Sequence, residues 1–215
     1  MSEETWESLQ RTNLDEVLRR ATLVELCRED IDHGANSVGQ RWVWNDGGGQ
    51  STVWHFFSDG RVLLLTFDHE SPLNLFGTGT YAEQLALYAG VPEDMLSVVL
   101  NQPENYESLN LVDDATGATV HYAGGIFWCD GTQWHIAQGL VDYCQTHDLD
   151  LWEDSGFSYC IEPYRLGESF TVEDVLEQRR EDDHYWEQDS PADVEQAIEK
   201  DRQALTELFA HHSRD

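Results

Sequence analysis

Positive charge is what this chain has least of. Its 215 residues carry 12 Lys plus Arg against 42 Asp plus Glu, a formal net charge of −30, and Lys200 is the only lysine. A surface this negative repels phosphate instead of releasing its counterions, so nucleic acid is excluded as a partner. Long apolar runs are missing too. The longest, such as 62–65, have strand length, far short of the ~20 residues that cross a bilayer, and an anionic membrane surface would repel the chain, so no membrane partner is expected. The first residues, Met1-Ser2-Glu3-Glu4-Thr5-Trp6-Glu7, lack the basic and apolar regions of a secretory signal, and a cytoplasmic location is the expectation.

Cysteine is sparse. Cys27, Cys129, Cys144 and Cys160 form no CxxC or CxxH pair, which in a reducing compartment predicts buried thiols. Cys129, beside an Asp130-Gly131 turn, is the one alternative, as a reactive nucleophile. There is no GxGxxG after a strand, no Walker A loop, no HExxH and no GxSxG. Nucleotide, zinc-protease and serine-hydrolase chemistry lose support, no cofactor is implied, and the balance leans away from an enzyme.

What is present suffices for one sizeable core: 40% of the residues are hydrophobic and 11% aromatic. The acid is spread along the chain. Segments 1–32, 33–112, 113–170 and 171–215 hold nine, nine, ten and fourteen acids against four, two, one and five bases. That distribution describes a globally acidic surface, not an acidic tail.

Periodicity predicts an α+β fold: an antiparallel meander sheet covered by an N-terminal helix, two short central helices and a C-terminal helical pair. Residues 13–31 read as a helix, with Asn13 and Glu16 at capping-box spacing. Strands follow at 41–45, 51–57 and 62–67, separated by Asp46-Gly47-Gly48-Gly49 and Ser58-Asp59-Gly60. The strand at 62–65 is apolar at both parities, so both of its faces should be covered. Helices are expected at 81–89, 92–100 and 140–147, and strands at 107–112, 119–122, 126–129 and 133–137. The acid- and aromatic-rich stretch 148–168 reads as loop with a strand at 157–161. Helices at 171–187 and from Ser190-Pro191 to His212 close the chain. This divides it into an α+β domain, 1–170, and a helical pair, 171–215. The apolar stripe of the last helix suits packing on the sheet or a homodimer through this helix.

Four constellations bear on function. Trp44-Asn45-Asp46-Gly47 with Trp54-His55 echoes Trp128-Cys129-Asp130-Gly131 with Trp134-His135. Turn chemistry and β-propensity can produce that echo without duplication. A two-residue turn at Asp130-Gly131 would set Phe127 opposite Trp134 and place Trp128 on one face with His135. Trp44, Trp54, Trp128 and Trp134 are core residues on one face and candidate partner-binding anchors on the other. Asp68, His69 and Glu70 close a strand and form the weak candidate catalytic cluster; as a metal site it needs His55 or His135 beside His69, because adjacent residues of one strand do not converge on one atom. The alternative is a polar strand end whose carboxylates cap the next turn or meet Arg61. The acidic run 147–154 has calcium-loop spacing but Glu153 where such a loop needs glycine. His211-His212 reads as a helix terminus.

These observations rank three expectations. The first is a binding protein, an inhibitor or immunity-type partner of a basic protein such as a nuclease toxin. The second is a metal-dependent or acid–base enzyme built on Asp68, His69 and Glu70. The third is a salt-adapted protein of unrelated function.

Overall fold

In the computed structural model, residues 2–27, 35–36, 39–76, 78–102, 110–181 and 190–212 are described. Among them one antiparallel sheet dominates: β1 (Ala35–Asn36), β2 (Gly39–Asn45), β3 (Gln50–Phe57), β4 (Val62–Asp68), β7 (Gly125–Cys129) and β8 (Trp134–Ile136) lie side by side in that order. The predicted meander is its centre. Between β4 and β7 the chain makes an insert that carries α3 (Tyr81–Leu87), a 3-10 turn at Met95–Val98 and a separate hairpin, β5 (Asn110–Val112) with β6 (Thr119–His121).

The register sorts the sheet into two faces. Trp42, Trp54, Leu64, Phe127 and Ile136 lie directly opposite one another across five strands, as do Trp44, Thr52, Thr66 and Gly125. This face is covered by α1 (Ser2–Arg11), α2 (Leu14–Leu26), α5 (Phe157–Ile161) and the loop before α5. Trp6 of α1 packs on Phe127, Trp152 and Phe157 with ring centroids 5.5–5.9 Å apart. Thr52 and Thr66, fully buried, donate to the carbonyls of Cys160 and Ser155, both at 2.8 Å, which stitches the sheet to α5 and its preceding loop. The opposite face carries Val53, His55, Leu63, Leu65, Phe67, Ile126 and Trp128, and the insert lies over it. Phe67 meets Tyr122 edge-on, and the Tyr122 hydroxyl donates to the Leu73 carbonyl. Val62 through Leu65 are accordingly buried at both parities, as expected.

Charged side chains fasten the covering layer. Arg20 is buried on α2 and donates to the carbonyls of Tyr164, Arg165 and Glu168 while pairing with Glu16. The buried Glu25 carboxylate accepts from the Val43 amide at 3.0 Å, occupying an edge donor of β2 that would otherwise template a foreign strand. Arg179 of α6 (Val172–Glu181) donates to the Cys27 carbonyl and to Asp201 of α7 (Pro191–His211), tying α2, α6 and α7 together.

Several expectations need correction. Phe157–Ile161 is helical, not a strand: Gly156 turns left-handed at φ 74°, and Phe157, Cys160, Ile161 and Tyr164 bury one stripe at helical spacing. The segment 92–100 is no α-helix. It holds only the 3-10 turn, after which Leu100 makes an isolated antiparallel bridge to Val120 of β6, with the His121 amide donating to the Val99 carbonyl at 2.8 Å and the Asn101 amide to the Thr119 carbonyl at 2.9 Å. Asn13 does cap α2, accepting from Asp15 at 2.8 Å, but Glu16 turns to Arg19 and Arg20 and forms no capping box. Helix α1 was not anticipated; acids in its first turn and Arg11 in its last suit its dipole. The expected helix ends at 28–31 and 182–187 and the strand start at 107–109 lie outside the described residues. None of the described helices is long and apolar enough to cross a membrane.

Candidate functional site

The residues singled out in the sequence do not gather into one place. His55 is fully buried in mid-sheet, on the insert-covered face. His135 is on the same face, but β4 and β7 stand between them, a gap of three strand spacings or roughly 14 Å. His69 follows β4, six residues beyond Leu63, the partner of His55, and so roughly 20 Å along the strand. Among the described residues no group of three His, Cys, Asp or Glu side chains is placed to hold a metal ion.

Asp68, His69 and Glu70 form a polar strand end. Asp68 accepts from the Gln50 amide group at 2.9 Å and from the Glu70 backbone at 3.0 Å, so its carboxylate caps the turn. The His69 imidazole lies over Gly49, where a Cβ would come within 2.3 Å of Nδ1, and its Nε2 is 3.9 Å from Glu70. Arg61 pairs with Asp59 and Asp94 instead.

Of the four tryptophans, Trp44, Trp54 and Trp134 are buried on the helix-covered face. Trp54 stands edge-on to Tyr164 at 5.2 Å and to Trp134 at 6.2 Å. Trp128 is part-exposed on the other face, stacked on its cross-strand neighbour His135 at 4.2 Å, and His135 Nε2 lies 3.2 Å from Asp130. Cys129, Cys144 and Cys160 are buried and Cys27 partly so; burial raises all four thiols, Cys27 and Cys144 to about 11 and Cys160 to about 12, the opposite of a reactive nucleophile.

The surface offers a different candidate at the Asp46 end of the main sheet. Tyr159 is 50% exposed and Phe76 49%, and they stand on opposite faces of this one end. Tyr159 projects from α5 with its ring 6.3 Å from Trp44; part-burial and the carboxylates of Asp46 and Glu162 raise its hydroxyl. Phe76 packs at 5.8 Å on Tyr122, which sits on Phe67, and the Asn74 amide ties this loop to the His69 carbonyl. Between them lie Asp46, Asp68, His69 and Glu70, with Asp154 held by Ser71. Sequence reading passed over both aromatics. Tyr159 was legible, since a helical period through Phe157, Cys160 and Ile161 leaves it facing outward.

The acids far outnumber the bases, and seven of the described arginines pair with acids of this chain. Arg11 pairs with Glu7, Arg19 and Arg20 with Glu16, Arg165 with Glu168 and Asp174, Arg179 with Asp201, and Arg202 with Glu173 and Glu199. Alongside α7 runs a groove open to solvent, whose lining among the described residues is Ala192, Glu195, Gln196, Glu199, Lys200 and Gln203, all of this helix. Comparison with protein-family models, with curated proteins and with solved structures finds no match to this chain.

Proposed function

We propose that this chain is an acidic binding protein whose partner is a basic protein, an inhibitor or immunity-type pairing, with the Asp46 end of the main sheet as the contact surface. The observation that carries the reading is the pair of half-exposed aromatics, Tyr159 and Phe76, set beside Asp46, Asp68 and Glu70 on a chain of net charge −30. Large aromatics anchor interfaces, while charge of one sign steers an oppositely charged partner and speeds encounter. Trp128, the part-exposed member of the hairpin tryptophans, is a secondary anchor. Nucleic acid is no partner in this reading, for the reason its charge gives.

The test is affinity capture from the native lysate at physiological and low salt, with cross-linking to identify the partner. A basic partner is expected, with association slowing as salt rises. Tyr159→Ser and Phe76→Ser should each weaken it by about 2 kcal/mol, the loss typical of an interface anchor. Capture of no basic protein at either salt, or affinity unchanged in both variants, overturns the proposal. A steep rise of thermal stability in molar KCl, with no partner, would instead favour salt adaptation.

A further inference from the structure

The two edges of the main sheet are finished differently. Beyond β2, the strand β1 pairs with Gly39 and Gln40, and the Glu25 carboxylate occupies the Val43 amide. The edge at β8 has no such cover. Two bonds at its ends fix its phase: the Gln133 carbonyl accepts from the Asp130 amide at 3.1 Å, and the Ala137 amide donates to the Ile126 carbonyl at 3.0 Å. Successive residues of a strand turn their amides and carbonyls to opposite sides, so Gln133, His135 and Ala137 face β7 while Trp134 and Ile136 point theirs away from it. Among the described residues no group bonds those two amides and two carbonyls. An open edge is a template for one more strand, and lysine, proline or an inward charge are usual means of blocking it. β8 is short but has none of these, and Trp134, His135 and Ile136 suit extended backbone.

Charge decides what can lie there. Between Arg61 and Arg165 the sequence has no lysine or arginine, and β7, β8 and α4 (Gln138–His147) all come from this stretch. Asp130 stands at the start of the edge, with its carboxylate 3.2 Å from His135 Nε2, and Asp142 is exposed on α4, which begins directly after it. A second copy of the chain would set −30 against −30 across this edge, whereas a cationic strand is drawn to it. The geometry points to β8 as a docking edge for an extended basic segment of a partner protein, which joins the sheet through the free amides and carbonyls of Trp134 and Ile136.

Side-chain alternation specifies that segment further. Its residues level with Trp134 and Ile136 join the helix-covered face, in line with Phe127, and are apolar. A residue level with His135 joins the row of the Trp128–His135 stack beside Asp130, and is basic. The charge of the occupant rests on the reading of this chain as a binder of a basic protein, but the edge involves neither Tyr159 nor Phe76.

The test uses the full chain and a synthetic heptapeptide alternating lysine and valine, with amide hydrogen exchange read by NMR. In the chain alone, the Trp134 and Ile136 amides should exchange faster than those of His135 and Ala137. With the peptide at about ten times its Kd, those two amides should gain protection about tenfold, and the same peptide with glutamate for lysine should give none. Ile136→Pro removes one outward amide, leaves the His135 and Ala137 bonds in place, and should weaken the peptide about fivefold to tenfold, the net loss of one hydrogen bond. Should that variant not fold, the wild-type exchange pattern decides. Lysine peptide that leaves Trp134 and Ile136 unprotected, equal protection by the glutamate peptide, or protection in the chain alone, as a β8–β8 dimer would give, each overturns the docking edge. No capture of a basic protein from lysate with peptide protection intact removes the Asp46-end reading alone; capture without peptide protection removes the edge alone.

Discussion

The β2–β3 and β7–β8 hairpins begin from nearly the same words and end in different places. In each, an aspartate two residues after a tryptophan folds back on its own turn: Asp46 Oδ1 accepts from the amides of Gly48, Gly49 and Gln50, and Asp130 Oδ1 from those of Thr132 and Gln133. The loops differ by one residue. Five residues separate the paired Asn45 and Ser51, but four separate Cys129 and Trp134. Because side chains alternate, that one residue reverses parity between strand and return strand. Trp44 and Trp54 consequently share the helix-covered face, whereas Trp128 and Trp134 lie on opposite faces. Turn chemistry fixes that a hairpin forms; residue count decides which tryptophan becomes core.

The largest expected contrast is between the two leading tryptophans. Trp44 is buried against Tyr159, so Trp44→Ala should cost about 3–5 kcal/mol of unfolding free energy, the usual result of emptying a buried aromatic site. Trp128 stacks on His135 at the rim, and Trp128→Ala should cost about 1–2 kcal/mol, the stacking and partial burial it forfeits. Urea denaturation of both variants measures this, and equal losses would break the contrast. The His55 and His135 pair shows the same gradient: same face, same place in the echo, yet the first is 1% exposed and the second is at the rim with Asp130.

Much of this was legible beforehand, and the failures have definite causes. The meander, the Ser190-Pro191 helix start and the double burial of the 62–65 strand followed from turn residues, caps and parity. Trp128 and His135 were placed on one face correctly, but a four-residue turn replaces the two-residue one, so Phe127 faces Ile136 and not Trp134. Asp-Gly signals a turn without stating its length. The helix at Phe157–Ile161 was missed because its aromatic and aliphatic residues suit strands by propensity, although their i, i+3, i+4 spacing was on view. The surface at Tyr159 and Phe76 depends on contacts between segments some eighty residues apart, such as Ser71 with Asp154, which no local pattern carries.

A second, smaller contrast lies in the turn glycines. Gly49 and Gly131 both have positive φ, 113° and 99°, so alanine strains either backbone by about 1–3 kcal/mol. At Gly131 the added Cβ meets nothing closer than 3.7 Å, but at Gly49 it would strike the His69 ring. Gly49→Ala should therefore cost more than Gly131→Ala. The His69 ring is half-exposed and can swing away, so in a His69→Ala background the two costs should converge. Persistence of the difference there would mean that the turn itself, not the imidazole above it, distinguishes the two hairpins.

The smallest effect concerns the capping carboxylate of the second turn. The Thr132 hydroxyl, then the Gln133 and Thr132 amides, and then His135 hold Asp130 well below its ordinary 3.8. A carboxylate depressed in the folded state adds stability above its unfolded value, and that contribution is lost as pH falls from about 3.8 toward the folded value. Asp130→Asn keeps one acceptor oxygen for the turn amides but removes the charge. Its thermal midpoint should lie slightly below wild type at pH 6 and meet it as pH drops under 3. A constant offset across that range would show that turn geometry, not charge, is what Asp130 supplies, and would leave the His135 contact as packing.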